Sequence, residues 1–281
     1  MQIKPQTLVL VALALVAFAA NSILARAALT ATAIDPVSFS AIRIISGALM
    51  LWLIVRLRPG LAEGRGSWAS ALALFAYAIA FSVAYLSLAA ATGALLLFGA
   101  VQVTMVGWSL ATGDRLMPRQ WAGFMLALAG LVWLLLPGLA APPPGPAALM
   151  IAAGVAWGIY TLRAKGAGEP TRVTASNFLL ASVPALLVAI VFFPGASLDT
   201  AGISLAVASG ALASGLGYAV WYAALKHIQT STAAVAQLSV PVITALAGVA
   251  LLAEPISLRL GLAGAAVLGG IALVVLKPSP A

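Results

Sequence analysis

Hydrophobic positions in this chain do not recur on one helical face or alternate strand-fashion. They fill long runs, and polar residues are confined to the short gaps between them. A run of roughly 20 apolar residues is what a helix needs to cross the hydrocarbon of a bilayer. The pattern predicts ten such spans, at 6–26, 35–57, 68–87, 91–112, 118–137, 146–164, 172–193, 200–225, 229–252 and 256–276. Arg58-Pro59-Gly60, Gly113-Asp114-Arg115, Pro142-Pro143-Pro144 and Pro194-Gly195 punctuate them. Pro36, Pro118, Pro146, Pro170 and Pro255 stand at helix starts, where a fixed φ costs little. The expected fold is an all-α membrane protein, one transmembrane domain over residues 1–281.

Composition narrows the class. Of 281 residues 63% are hydrophobic and 7% charged, against about a quarter charged in soluble domains. Ten spans leave only short loops. The run Leu8–Ala20 followed by Ala25-Arg26-Ala27 has the outline of a signal peptide; with so many spans after it, it reads as the first membrane helix. The net charge of +8 does not point to nucleic acid, because the basic residues are scattered at helix ends. With a cytoplasmic N-terminus, the inside segments hold Lys4, Arg56, Arg58, Arg65, Arg115, Arg119, Arg163, Lys165, Arg172, Lys226 and Lys277, and the outside ones only Arg26 and Arg259. That bias places both termini in the cytoplasm. No cysteine is present, which excludes disulfides and thiolate metal sites, and no phosphate-binding loop motif occurs.

The two halves partly overlay. A shift of 140 sets Thr92 on Thr232, Ala94 on Ala234, Thr104 on Thr244, Asp114 on Glu254, Arg119 on Arg259 and Gly130 on Gly270. A shift of 134 sets Asp35-Pro36 on Glu169-Pro170. Repeats over 1–140 and 141–281 would each hold five helices. An odd number inverts the second copy, giving two inverted repeats about an in-plane axis, an architecture suited to alternating access.

Several of these residues carry a resemblance. Trp157, the Pro241–Glu254 segment, Gly264, Gly269 and Gly270, with Asp35-Pro36, Arg43 and Asp114 through Gly123 to Gly130, resemble the ten-helix EamA-type transporters of the drug/metabolite transporter superfamily. The segment Gly217–Leu225, with Tyr77 and Trp157, is similar to bacterial aromatic amino acid exporters of that group. The resemblance implies a bacterial inner-membrane carrier exporting amino acids or related small metabolites. The repeats have diverged: Val101 stands opposite Pro241, and Asn177 opposite Arg43.

Candidate site residues are polar or aromatic groups too central for anchoring. Arg43 is the one charge deep in a span. At the bilayer centre it costs at least ~2.5–3.5 kcal/mol on insertion scales, so it should face protein or water. It either meets a substrate carboxylate or gate, or bonds to nearby polar groups. Asn21 and Gln237 are expected in a central cavity. Tyr77 and Phe81 (with Tyr85) recur every four residues; Trp157 and Tyr160 are mid-helix; Tyr218, Trp221 and Tyr222 share one face. Together they would line a cavity for an amphipathic, amino acid-like molecule. Pro241 falls well inside the ninth span and would bend it. Gly261, Ala265 and Gly269 form a small-residue face for packing within the chain or across an oligomer. No Asp or Glu lies centrally in a span, which argues against a carboxylate-centred antiporter or a carrier of cationic drugs and favours facilitated transport. A carrier of phosphorylated sugars or nucleotides would need more than one core cation. A membrane-embedded enzyme would need a catalytic constellation; the single histidine, His227, lies at a helix end, so no enzyme and no cofactor are read here.

The topology is testable because the chain has no native cysteine. In intact cells a membrane-impermeant maleimide is expected to label Ala141→Cys and to spare Leu61→Cys; the reverse pattern would invert the orientation.

Overall fold

The computed structural model describes residues 4–113, 115–138, 141–164, 166–228 and 236–275. Asp114, Lys165, Lys277, Thr232, Ala234 and the first residues of the ninth span lie outside them. The described residues form ten helices: α1 Pro5–Ala31, α2 Pro36–Leu57, α3 Trp68–Tyr85, α4 Ala90–Ala111, α5 Pro118–Leu135, α6 Pro144–Ala164, α7 Pro170–Phe192, α8 Thr200–Leu225, α9 Ser239–Leu252 and α10 Leu258–Val275. Eight are long and apolar enough to cross a membrane. The polar first turn of α5 and the short described length of α9 set those two apart.

Helix starts follow local chemistry. Asp35 accepts from the backbone N–H groups of Val37 and Ser38, Glu169 from Arg172, and Asp199 from Gly202. Each carboxylate satisfies orphan donors and meets the positive end of the helix dipole. Prolines occupy the first helical position at Pro36, Pro118 and Pro170, as expected. Two positions differ. Helix α6 begins at Pro144 rather than Pro146, and α10 begins at Leu258, three residues past Pro255. The expected bend inside the ninth helix is also displaced. The chain is helical at 236–237, turns at Leu238 and resumes at Ser239, so Pro241 sits in the first turn of α9. Its ring clashes with a carbonyl four residues back, and the helix breaks between them.

Segments joining the helices meet only partners at their own end of the bundle in the contacts seen. At one end, the Asp35 N–H donates to the Ser197 carbonyl while the Asp35 carboxylate accepts from the Ser197 N–H, and Arg259 donates to the carbonyls of Trp133 and Leu136. At the other, Gly64 bridges to Gly168, Asn177 accepts from the Ser67 N–H, and Gln120 donates to the Val274 carbonyl. Successive helices therefore run in alternating directions. Burial pushes the Asp35 carboxyl up, but hydrogen bonds from Ser38, Ser197 and Val37 outweigh it and hold it below its ordinary 3.8. Its contribution is complete above that value and is lost as pH falls through the lowered one.

Helix pairs α2·α7, α4·α9, α5·α10, α3·α6 and α1·α8 pack together. In α5·α10 a Cβ on Gly123 would strike the Gly270 carbonyl, and one on Gly270 the Gly123 carbonyl. The two backbones touch there because neither carries a side chain. Within the chain the small face expected on α10 is not the packed one: Gly261, Ala265 and Gly269 are exposed, while Ala263, Val267 and Gly270 are buried.

Helix α8 contains a feature not read from the sequence. Residues Ala208–Leu216 form a π-helical stretch, whose bonds run from i to i+5. That spacing aligns Ser209 with Ser214 and Gly210 with Gly215. Both serine hydroxyls donate to Asn21 Oδ1, at 2.9 and 3.2 Å. Both glycines press on α2: a Cβ on Gly210 would strike the Arg43 carbonyl and the Ser46 hydroxyl, and one on Gly215 would crowd Met50.

One clasp gathers three helix ends. Arg26 pairs with Glu254 at 2.9 Å and donates to the carbonyls of Tyr85 and Leu86, while Glu254 accepts the Ala90 N–H at 2.7 Å. Hydrogen bonds to charged groups contribute about 1.5–3 kcal/mol. Glu254→Ala is expected to lose stability in that range in detergent unfolding. The Arg26→Ala/Glu254→Ala pair should lose less than the two single losses summed; strict additivity would show that no coupling exists.

Candidate substrate site

Arg43 is 3% exposed, in the eighth position of α2. Its Nη2 donates to the Tyr77 hydroxyl at 2.9 Å. The guanidinium also lies over the rings of Phe81 and Tyr77, 4.7 and 5.3 Å from their centroids. These contacts hold the cation by one neutral hydrogen bond and two ring faces. Its Nη1 is buried with no hydrogen-bond partner among the described residues. Of the two sequence readings, bonding to a polar side chain is thus half satisfied, and one donor nitrogen is left over.

From Tyr77 a column of rings runs through the bundle. Toward the Asp35 end, Tyr77 meets Phe81 at 5.3 Å, and Phe81 meets Tyr85 edge-on at 4.7 Å. Toward the Gly64 end, Tyr77 meets Trp157 at 4.9 Å. Trp157 stacks on Tyr218 at 5.6 Å and on Tyr160 at 5.1 Å, and Tyr218 stacks on Tyr222 at 6.2 Å. Trp221 joins through Phe18, which touches both Trp221 and Tyr218. Three helices, α3, α6 and α8, thus deliver the aromatic residues singled out in the sequence into one connected cluster. The tyrosine hydroxyls are placed as well: Tyr222 shares a hydrogen bond with Thr174 at 2.9 Å, and Tyr85 donates to the Ala90 carbonyl.

Two members, Phe18 on α1 and Phe178 on α7, were not among the sequence candidates; Phe178 meets Tyr218 at 6.2 Å. Phenylalanine in an apolar span carries no signal of its own, whereas Trp or Tyr at mid-span does. Most of the rings are buried, but Trp157, Phe18 and Tyr222 are only half-buried. Asn21 is buried, with its carbonyl oxygen occupied by the two serines of α8. Gln237 is half-buried and helical, just ahead of the turn at Leu238. Pro241 lines an apolar groove with Ala91 and Leu95 of α4 and Leu260 and Gly264 of α10.

Carboxylates are spent elsewhere. Asp35, Glu169 and Asp199 cap helices, and Glu254 holds Arg26. Among the described residues no group of three or more His, Asp or Glu gathers as a metal site would require.

A bundle of long apolar helices in alternating directions, with a buried cation and a central ring column, has the architecture of a multi-pass membrane protein. Residues 146–276 match the model of the EamA-like transporter family. An uncharacterized protein of Pseudomonas aeruginosa is 55% identical over 96% of this chain and 94% of its own length. Two uncharacterized transporters of Archaeoglobus fulgidus are also similar. One is 26% identical over 87% of this chain and 89% of its own; the other is 34% identical over 46% and 48%. A solved crystal structure shares the fold with a TM-score of 0.66 at 22% identity, over 96% of this chain and 97% of that one. The chain belongs to the EamA-like transporter family, within the drug/metabolite transporter superfamily, and is a membrane transporter.

Tyr77→Phe keeps the ring and removes the hydroxyl that Arg43 uses. Leaving a buried charged donor unpaired costs about 1–3 kcal/mol or more, so the variant is expected to melt several degrees lower in detergent. Unchanged melting would mean that the guanidinium has another partner.

Proposed function

We propose that this transporter exports amino acids or closely related small metabolites across the bacterial inner membrane by alternating access. The observation that carries the reading is the Tyr77–Trp157–Tyr218 column lying against Arg43. Stacked rings take the apolar body of an amphipathic molecule, and the free Nη1 takes a carboxylate. The candidates Asn21, Tyr77, Phe81, Trp157, Tyr160, Tyr218, Trp221 and Gln237 are assigned to this pathway, with Arg43 and Pro241 at its gates.

Two inverted repeats, 1–140 and 141–281, are part of the same reading, and paired contacts support them. The Ser40–Ser82 hydrogen bond has its equivalent in Thr174–Tyr222, under the shifts of 134 and 140. The Gly123–Gly270 contact maps likewise onto Ala263–Gly130, which also touch. Such a relation lets one repeat rock against the other around a central site. The five acidic residues among those described lie at helix ends or between helices, which favours facilitated transport over a carboxylate proton relay. Carriage of phosphorylated sugars or nucleotides is disfavoured because Arg43 is the single cation deep in the spans.

Proteoliposome flux of a labelled amino acid panel tests this. At least one member is expected to equilibrate, and Trp157→Ala and Tyr77→Ala to slow it at least tenfold. A panel with no transported member would sink the substrate reading, and accumulation far above equilibrium under an imposed pH gradient or potential would sink the facilitated mechanism.

A further inference from the structure

The charge inventory of the site narrows its substrate. Arg43 is nine-tenths and more buried, touches a neutral hydroxyl and two ring faces, and keeps Nη1 without a partner among the described residues. Among the described residues no acidic side chain shares the core with it. Asp35, Glu169 and Asp199 cap helices, Glu254 is paired to Arg26, and Glu63 falls in the segment between α2 and α3. The core thus carries one uncompensated positive charge. A second cation brought beside it meets repulsion and finds no carboxylate to offset it.

Ring faces are a second way to hold an ammonium. Here those nearest Arg43 are already engaged. Phe81 and Tyr77 lie under the guanidinium, and Trp157 is stacked on one side by Tyr160 and on another by Tyr218. Beside the rings, the unused polar capacity of Arg43 is its Nη1 donor group, which carries positive charge and lies against the aromatic column.

Building on the reading of the ring column as the substrate path, we infer that the preferred substrate is a net-anionic aryl or arylalkyl monocarboxylate without an amino group. Its carboxylate accepts from Arg43 Nη1 and neutralises the buried cation, and its ring takes a place in the column beside Tyr77 and Trp157. A zwitterionic amino acid makes the same two contacts but brings an ammonium next to the guanidinium. A free aromatic amine brings only the repulsion.

Three compounds with the same phenylethyl skeleton separate these cases: 3-phenylpropionate, phenylalanine and 2-phenylethylamine. Isothermal titration of the full chain in lipid nanodiscs is expected to show 3-phenylpropionate binding at least tenfold tighter than phenylalanine, with no binding of the amine. Arg43→Gln should weaken 3-phenylpropionate binding at least tenfold, and Arg43→Lys, which keeps the charge in the bundle, should retain part of it. Phenylalanine binding as tightly as 3-phenylpropionate, or any binding of the amine at similar strength, overturns the inference and leaves the ring column standing as a binding site. Binding of none of the three to the folded wild-type chain overturns both.

Discussion

A guanidinium in the middle of a membrane-spanning helix is the constraint that the rest of the bundle answers. Left against lipid, Arg43 would be costly. The fold removes it by pressing α8 onto α2 at Gly210, where the absence of a side chain lets the backbones touch behind it. In front, α3 supplies the Tyr77 hydroxyl and the Phe81 face. The π-helical stretch of α8 makes this approach possible. Its i to i+5 spacing presents two glycines to α2 and two serines to Asn21 of α1 at once, which α-helical spacing would set on different faces. The same stretch leads directly into Tyr218, the next ring in the column.

The acidic residues make sense from the same standpoint. A carboxylate in the core would pair with Arg43 and cancel it. The chain instead uses its acids where helices begin, at Asp35, Glu169 and Asp199, or in the clasp of Glu254 with Arg26 and the α4 start. These contacts fix the ends of helices while the middle of the bundle keeps its single charge. An end that is clasped and a core that is held by rings and one hydrogen bond is a suitable division for a carrier, since ring contacts are numerous, weak and tolerant of sliding.

Much of this was legible in the chain alone, because a bilayer leaves few choices. Run length and the scarcity of charge dictated ten helices, and helix-end prolines and acids marked most of their starts. Arg43 stood out because an intramembrane charge is rare, and Tyr77, Trp157 and Tyr218 because Trp and Tyr belong at the interface unless something holds them at mid-span. Less was legible where identical residue types serve different ends. Phe18 and Phe178 look like any lipid-facing phenylalanine until α1 and α7 bring them to Tyr218. The five-residue recurrence of Ser209-Gly210 in Ser214-Gly215 was a signal for the π stretch that helical reading at 3.6 passes over.

Sequence by itself was enough for an all-helical fold of ten helices, most of their starts and the short list of chemically unusual side chains, since each follows from local hydrophobicity and local charge. Tertiary structure alone decided which of those side chains meet. Arg26 finds Glu254 across 228 positions, and Arg43 finds Tyr77 across 34. It also decided that α10 packs through Ala263, Val267 and Gly270 rather than the neighbouring stripe of Gly261 and Gly269, and that the chain turns at Leu238 ahead of Pro241. Such pairings depend on how helix surfaces fit against one another, and in a chain where nearly every surface is apolar, hydrophobicity no longer tells one face from the next.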